Sequence, residues 1–215
     1  MANYIFDPNF QTLSLESKVV TGLGRISEAF RLVLLREAQT SNLTPVQIQI
    51  LVFMKFHNNV ATNIHALSDE LNLPLIDIYN EASDLIDKSL IAKKEIGDNH
   101  QNVTFSLTAR GKMAATKLSL YADKILSQVS NFQKDDLEKF YGYILNLILE
   151  LQKNDLLSMN RMCLCCKHFS ENEEKYSCTL LEKELEFKEL RIDCAEHQPL
   201  NPYEEKLKSK QRGFY

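Results

Sequence analysis

Apolar residues recur along most of this chain at spacings of three and four, the period that gathers them on one side of a helix. Lys18 to Ala38 places Val20, Leu23, Ile26, Phe30, Val33 and Leu34 near one such side. Leu43-Thr44-Pro45-Val46-Gln47 then marks a helix start. Thr44 caps the free N–H groups, Pro45 suits the first helical position, Gln47 completes a capping box, and Leu43 with Ile48 is placed as a hydrophobic staple. A second short helix follows in Ile64–Leu71, closed by Asn72-Leu73-Pro74, and a third runs from about Leu75 to Ser89 with Ile78, Ala82, Leu85 and Ile86 on one face. The period then changes to two in Leu90-Ile91-Ala92 and Val103–Leu107, around the turn-prone Gly97-Asp98-Asn99. Helical spacing returns over Arg110–Phe132, through Met113, Leu118, Tyr121, Ile125, Val129 and Phe132. It returns again over Asp135–Lys153, through Leu137, Phe140, Tyr141, Ile144, Ile148 and Leu151.

Three short helices and a two-stranded ribbon in that order describe a winged helix-turn-helix, here flanked by long helices. The fold class is therefore mainly α, an α+β winged helix. Leu145, Leu147 and Leu149 make the last long helix apolar on more than one side. Such a helix lies at a domain centre or meets another chain, and a two-fold homodimer is the expectation, with packing inside one subunit the alternative.

The order of these pieces resembles the MarR-type transcriptional regulators. The resemblance runs over Ser17 to Asp155. It is carried by the Leu-Thr-Pro helix start, Leu67-x3-Leu71-x-Leu73, Asp87-Lys88-Ser89-Leu90-Ile91, and Leu107-Thr108-Ala109-Arg110-Gly111 opening another long helix. The family implies a homodimer with interlocked terminal helices, a reading helix in each major groove of double-stranded DNA, and wings at adjacent minor grooves. It also places small-molecule effectors between the long helices and the winged domain, though no residue here identifies such a pocket. By that analogy the DNA contacts are Leu75, Asp77, Tyr79, Asn80 and Ser83 on the reading helix. Lys93, Lys94, His100, Gln101 and Asn102 would act from the wing, and Arg110 from the start of the next helix.

Charge departs from this pattern. Between Ala61 and Ile91 stand Asp69, Glu70, Asp77, Glu81, Asp84 and Asp87 against the single base Lys88. Duplex binding draws most of its affinity from Lys and Arg at phosphates, so an acidic reading segment works against its ligand. Asn80 suits an adenine edge, and Asp77 or Glu81 a cytosine amine. The wing tip Asp98-Asn99-His100-Gln101-Asn102 lacks the arginine usual in family wings. The whole chain, at net charge −4 and pI near 5.8, exerts no pull toward nucleic acid. A protein-interaction scaffold that has lost DNA binding is the alternative function.

All five cysteines fall between Met162 and Ala195. Cys163-x2-Cys166 is a spacing in which two thiolates from one turn grip a tetrahedral ion, and Cys178 and Cys194 follow after 11 and 15 further residues. A segment of this size cannot bury a sufficient core alone, so a metal staple has a physical purpose. The expected ion is zinc, held by Cys163, Cys166, Cys178 and Cys194, with Cys165 spare. An iron–sulfur cluster would use the same thiolates. His168 or His197 replacing a thiolate, a redox switch, and unliganded buried cysteines are the other readings. Leu190-Arg191-Ile192-Asp193-Cys194-Ala195-Glu196-His197 reads as the closing half of the stapled loop, braced by Arg191 and Asp193. Cysteine-bearing extensions of this form occur on some MarR-type proteins.

The chain thus divides into a winged-helix and dimerisation domain over 1–160, a cysteine-rich module over 161–200 and a basic tail over 201–215 carrying Lys206, Lys208, Lys210 and Arg212. The first residues lack a basic segment followed by an apolar one, so no signal peptide is expected. No apolar run reaches the about 18 residues of a membrane span, and a soluble, cytoplasmic protein is expected. Phosphate-binding glycine loops, a Gly-x-Ser-x-Gly elbow and a His-Glu-x-x-His pair are absent from the sequence, and His57 and His65 stand isolated. A closed four-thiolate site leaves no open position for activating water, so an enzyme is not expected.

Overall fold

The computed structural model describes residues 5–11, 14–57, 62–95, 103–157, 161–172 and 175–200. A single turn, α1 (Pro8–Gln11), precedes the long α2 (Leu15–Ser41), which opens where the Ser14 hydroxyl accepts from the Ser17 N–H. Next come α3 (Pro45–Phe56), α4 (Ile64–Leu71) and α5 (Leu75–Asp87). The capping box at α3 is complete: Thr44 Oγ1 accepts from the Gln47 N–H at 3.1 Å, and Gln47 Oε1 accepts from the Thr44 N–H at 3.2 Å. Asn63 caps α4 through the Ala66 N–H.

Three of these helices stop the same way. Asn42, Asn72 and Ser89 take the left-handed conformation, with φ of 54°, 51° and 55°. The next N–H then reaches back five residues: Leu43 to Ala38, Leu73 to Ser68, Leu90 to Leu85. This closes the last carbonyls and turns the chain sharply. It also ends α5 at Asp87, short of the expected Ser89, and leaves Leu90 in the turn ahead of the strand that it was expected to open.

β1 (Ile91–Glu95) pairs antiparallel with β2 (Val103–Leu107), Ile91 opposite Leu107 and Glu95 opposite Val103. The Phe105 N–H donates to the Thr62 carbonyl, tying the ribbon to the chain ahead of α4. The single helix expected over Arg110–Phe132 is two, α6 (Ala109–Leu118) and α7 (Asp123–Val129). Tight turns from Leu120 to Lys117 and from Tyr121 to Leu118 break it, and Tyr121 packs onto the apolar core of the winged domain. α8 (Lys134–Lys153) follows.

That core centres on α3. Ile48, Ile50 and Leu51 are fully buried with Leu67 of α4, Ile78 and Leu85 of α5, and Ile91 of β1. The junction into α6 depends on a glycine. Thr108 caps the Gly111 N–H while its own N–H donates to the Leu90 carbonyl. A Cβ on Gly111 would stand 1.9 Å from that carbonyl oxygen. The Thr-x-x-Gly sequence is thus the mark of α6 lying against the turn between α5 and β1.

A second apolar cluster joins Leu145 and Leu149 of α8 to Met162, Leu164, Cys166, Phe169 and Leu190. It sits under an antiparallel meander of β3 (Phe169–Asn172), β4 (Lys175–Cys178) and β5 (Lys183–Leu185). The Tyr141 hydroxyl donates to the Leu190 carbonyl, and the Phe187 ring comes 3.2 Å from where a Cβ on Gly142 would stand. One side of α8 therefore carries the cysteine segment, which accounts for part of its broad apolar surface. Phe140, Tyr143 and Leu147 remain exposed on the same helix. Among the described residues, no helix is long and apolar enough to cross a membrane.

Candidate functional site

The reading-helix residues named from the sequence fall on the outside of α5. Leu75, Asp77, Tyr79 and Asn80 are exposed and Ser83 half-buried, while Ile78, Ala82 and Leu85 turn inward. Lys93 and Lys94 are exposed on β1, as are Arg110 and Lys112 in the first turn of α6. His100, Gln101 and Asn102 lie outside the described residues, as does the basic tail.

Glu81 and Lys88 of this segment serve the fold. Glu81 Oε2 accepts from the Thr44 hydroxyl at 2.8 Å, fastening α5 to the start of α3. Lys88 Nζ donates to Gln47 Oε1 at 2.8 Å and to the Asn42 carbonyl at 3.3 Å. The one base of the reading segment is thus turned toward the capping box of α3.

Cys163, Cys166, Cys178 and Cys194 line one cavity of about 370 Å³. Their elements explain why. Cys163 and Cys166 flank a 3₁₀ turn closed by the Cys166 N–H on the Cys163 carbonyl at 2.9 Å. Cys178 ends β4 opposite Phe169 of β3, which puts it beside that turn. Cys194 enters from the last loop, where the Cys163 N–H donates to the Arg191 carbonyl at 2.9 Å. Arg191 serves both sulfurs: its N–H donates to Cys163 Sγ at 3.2 Å and its guanidinium to Cys194 Sγ at 3.7 Å. Burial pushes the Cys163 thiol up against the opposing Arg191 N–H, and charge on Cys194, Cys166 and Cys178 pushes it the same way.

Cys165 stands apart. Its thiol donates to Gln152 Oε1 of α8 at 3.0 Å, and it does not line the cavity. His168 does line it, with Nδ1 on the Thr179 hydroxyl and Nε2 buried without a hydrogen-bond partner among the described residues. The donors fit a thiophilic cation in number and chemistry, with two sulfurs already holding donors that temper thiolate charge. Among the described residues, no three His, Cys, Asp or Glu side chains close into a ready-made ion cage.

Sequence spacing gave no sign of His57. It is 5% exposed at the end of α3 and stacks on Phe53 with ring centroids 4.4 Å apart. Nδ1 is 3.1 Å from the Phe53 carbonyl and Nε2 is 2.9 Å from Asp193 Oδ1. Both partners are acceptors, so making both bonds requires a proton on each ring nitrogen. Burial opposes that charge, but the Asp193 carboxylate outweighs it and holds the imidazole pKa above its ordinary value; the same bond lowers that of Asp193. Arg161, 8% exposed, donates from Nε to Glu70 Oε2 at 2.9 Å, with its guanidinium carbon 5.0 Å from the centre of the Phe53 ring.

No family model and no curated protein matches the chain. Solved structures do. A Listeria monocytogenes protein assigned to the MarR transcriptional regulators, in complex with a 26-mer DNA, matches at TM-score 0.55 and 17% identity, over 64% of this chain and 91% of that one. The chain has the fold of the MarR regulators. MepR of Staphylococcus aureus in its DNA-binding conformation matches at TM-score 0.55 and 15% identity, over 62% of this chain and 98% of that one. The MepR–DNA complex matches at TM-score 0.52 and 15% identity, over 60% and 94%. These MarR neighbours are transcription regulators rather than enzymes.

Proposed function

We propose that the protein is a homodimeric transcriptional regulator of MarR type that binds double-stranded DNA and carries a zinc-stapled C-terminal module. The observation carrying the DNA reading is the outward face of α5, where Leu75, Asp77, Tyr79, Asn80 and Ser83 are presented beside a ribbon bearing Lys93 and Lys94 and a helix start bearing Arg110. Two structural neighbours with this fold were solved with DNA. Since Glu81 and Lys88 bond within the fold, base-edge contacts from Asn80 and Tyr79 carry more of the recognition than phosphate contacts do.

Dimerisation is supported by apolar side chains that one chain leaves uncovered. Val19, Val20, Leu23, Ile26 and Phe30 of α2 are exposed, as are Leu126 of α7 and Tyr143 and Leu147 of α8. An apolar stripe of this length on a long helix needs a partner, and a second copy is the partner that the fold implies. The zinc reading rests on four thiols lining one cavity in a segment with a small core. Bound there, the ion would cross-link the 3₁₀ turn, β4 and the last loop. A small-molecule effector belongs to this reading without assigned residues.

Fluorescence anisotropy of the zinc-loaded protein with the intergenic DNA flanking its own gene, titrated against salt, tests the regulator reading. Specific binding that weakens with salt is the expected result. A dimer with metal bound that ignores this DNA at low salt would sink it. The result would favour a scaffold whose acidic α5 meets a basic partner, a reading to which the inward turn of Lys88 also points.

A further inference from the structure

Two ion pairs among the described residues join the cysteine module to the ends of α3 and α4, and each leaves from beside a cavity cysteine. Arg161 lies two residues before Cys163 and reaches Glu70, near the end of α4. Asp193 lies one residue before Cys194 and reaches His57, at the end of α3. Phe53 joins the two grips, since the His57 ring stacks on it and the Arg161 guanidinium packs over it. Inside the module, Cys163 and the Arg191–Cys194 loop are also one unit. Cys163 donates its N–H to the Arg191 carbonyl, and its sulfur accepts the Arg191 N–H.

We propose that occupancy of the four-cysteine site by a zinc-class cation is coupled to the helix-turn-helix through these two clasps, so that losing the ion loosens α3 and α4 beneath the reading helix. The inference rests on the metal reading of the module. The physical ground is reach. One or two residues of chain span at most about 7 Å, so a cysteine that shifts carries its neighbouring Arg161 or Asp193 with it. Both clasp bonds are 2.9 Å long, and charge-assisted hydrogen bonds weaken steeply beyond about 3.5 Å. The gripped residues lie on the two helices leading into α5, and Leu67 of α4 is buried against the core that also holds Ile78 and Leu85. When the ion leaves, its thiolates take up protons from water. The sulfurs are then no longer held to one centre, and only the Cys163–Arg191 hydrogen bonds are left to keep both clasps in register.

Hydrogen–deuterium exchange on the full-length protein tests this, with zinc content measured on the same samples. Peptides spanning 45–57, 64–71 and 75–87 would be followed before and after zinc is stripped by a chelator. Exchange in the first two is expected to rise tenfold or more, and in the third by a smaller factor. A protein with its clasps removed but its cysteines intact, His57→Gln with Glu70→Gln, should retain zinc at the wild-type ratio. It should exchange fast in 45–57 and 64–71 whether or not zinc is present. Zinc that binds and leaves with no change in those peptides would overturn the coupling, and this measurement needs no variant to fold. A protein that takes up no zinc at all would overturn the metal reading beneath it, a failure distinguished by the metal content.

Discussion

The winged domain and the cysteine module solve the same problem with unequal means. Among the described residues, the winged domain encloses fifteen buried side chains in one cluster, with α3 at its centre and six further elements around it. The module encloses seven, two of them lent by α8, and one of the seven is Cys166. The smaller cluster leaves the module less apolar burial of its own to offset the ordering of its chain. A small fold in that position draws stability from a cross-link, and its four thiols are placed to accept one. What differs, on the zinc reading, is the kind of dependence: the winged domain would fail by degrees as its packing is eroded, and the module would fail as a unit when its staple goes.

The contrast breaks most sharply at the staple. Cys178→Ser should reduce bound zinc from about one per chain to well below that and open residues 161–200 to proteolysis. A structural zinc contributes on the order of 10 kcal/mol of apparent binding free energy. Metal analysis with limited proteolysis reads both effects, and the winged domain should survive digestion. Erosion of the other region is smaller in scale: Leu85→Ala, fully buried between α5 and the core, should cost about 2–5 kcal/mol in denaturant unfolding while bound zinc stays constant. Thr44→Ala should cost about 1–2 kcal/mol in the same measurement, since it removes one half of the capping box and the hydroxyl that fastens Glu81. If Thr44→Ala instead released zinc, the two regions would be more tightly joined than two clasps imply.

Much of the winged domain was legible because its signals are local. A Thr-Pro-x-Gln start, the Asn72 that closes α4 and a change of period from four to two each act within a few residues, and α3, α4 and the ribbon follow them. The interruption at 119–122 was not legible. Apolar spacing runs through Leu118, Tyr121 and Ile125 with no proline or glycine, and the break exists because Tyr121 packs on a core built by distant parts of the chain. His57 escaped for the same reason: its partner Asp193 lies 136 residues away. The clustering of cysteines was plain in the sequence. That Cys165 faces Gln152 of α8, while its four neighbours face one cavity, depends on how the module sits on that helix.

Lys88 has a consequence for how such a protein would find its target. A regulator in a cell meets a vast excess of random sequence, which captures basic surfaces and keeps most copies off their operators. Here the only base of the reading segment is occupied by Gln47 and Asn42. On the proposed DNA reading, random sequence would gain no hold from Lys88 and would be left with the cations of the ribbon and of α6, so more copies would stay free in solution. Its search would then rely less on sliding along the duplex and more on repeated direct encounters, with occupancy set by how many copies the cell makes.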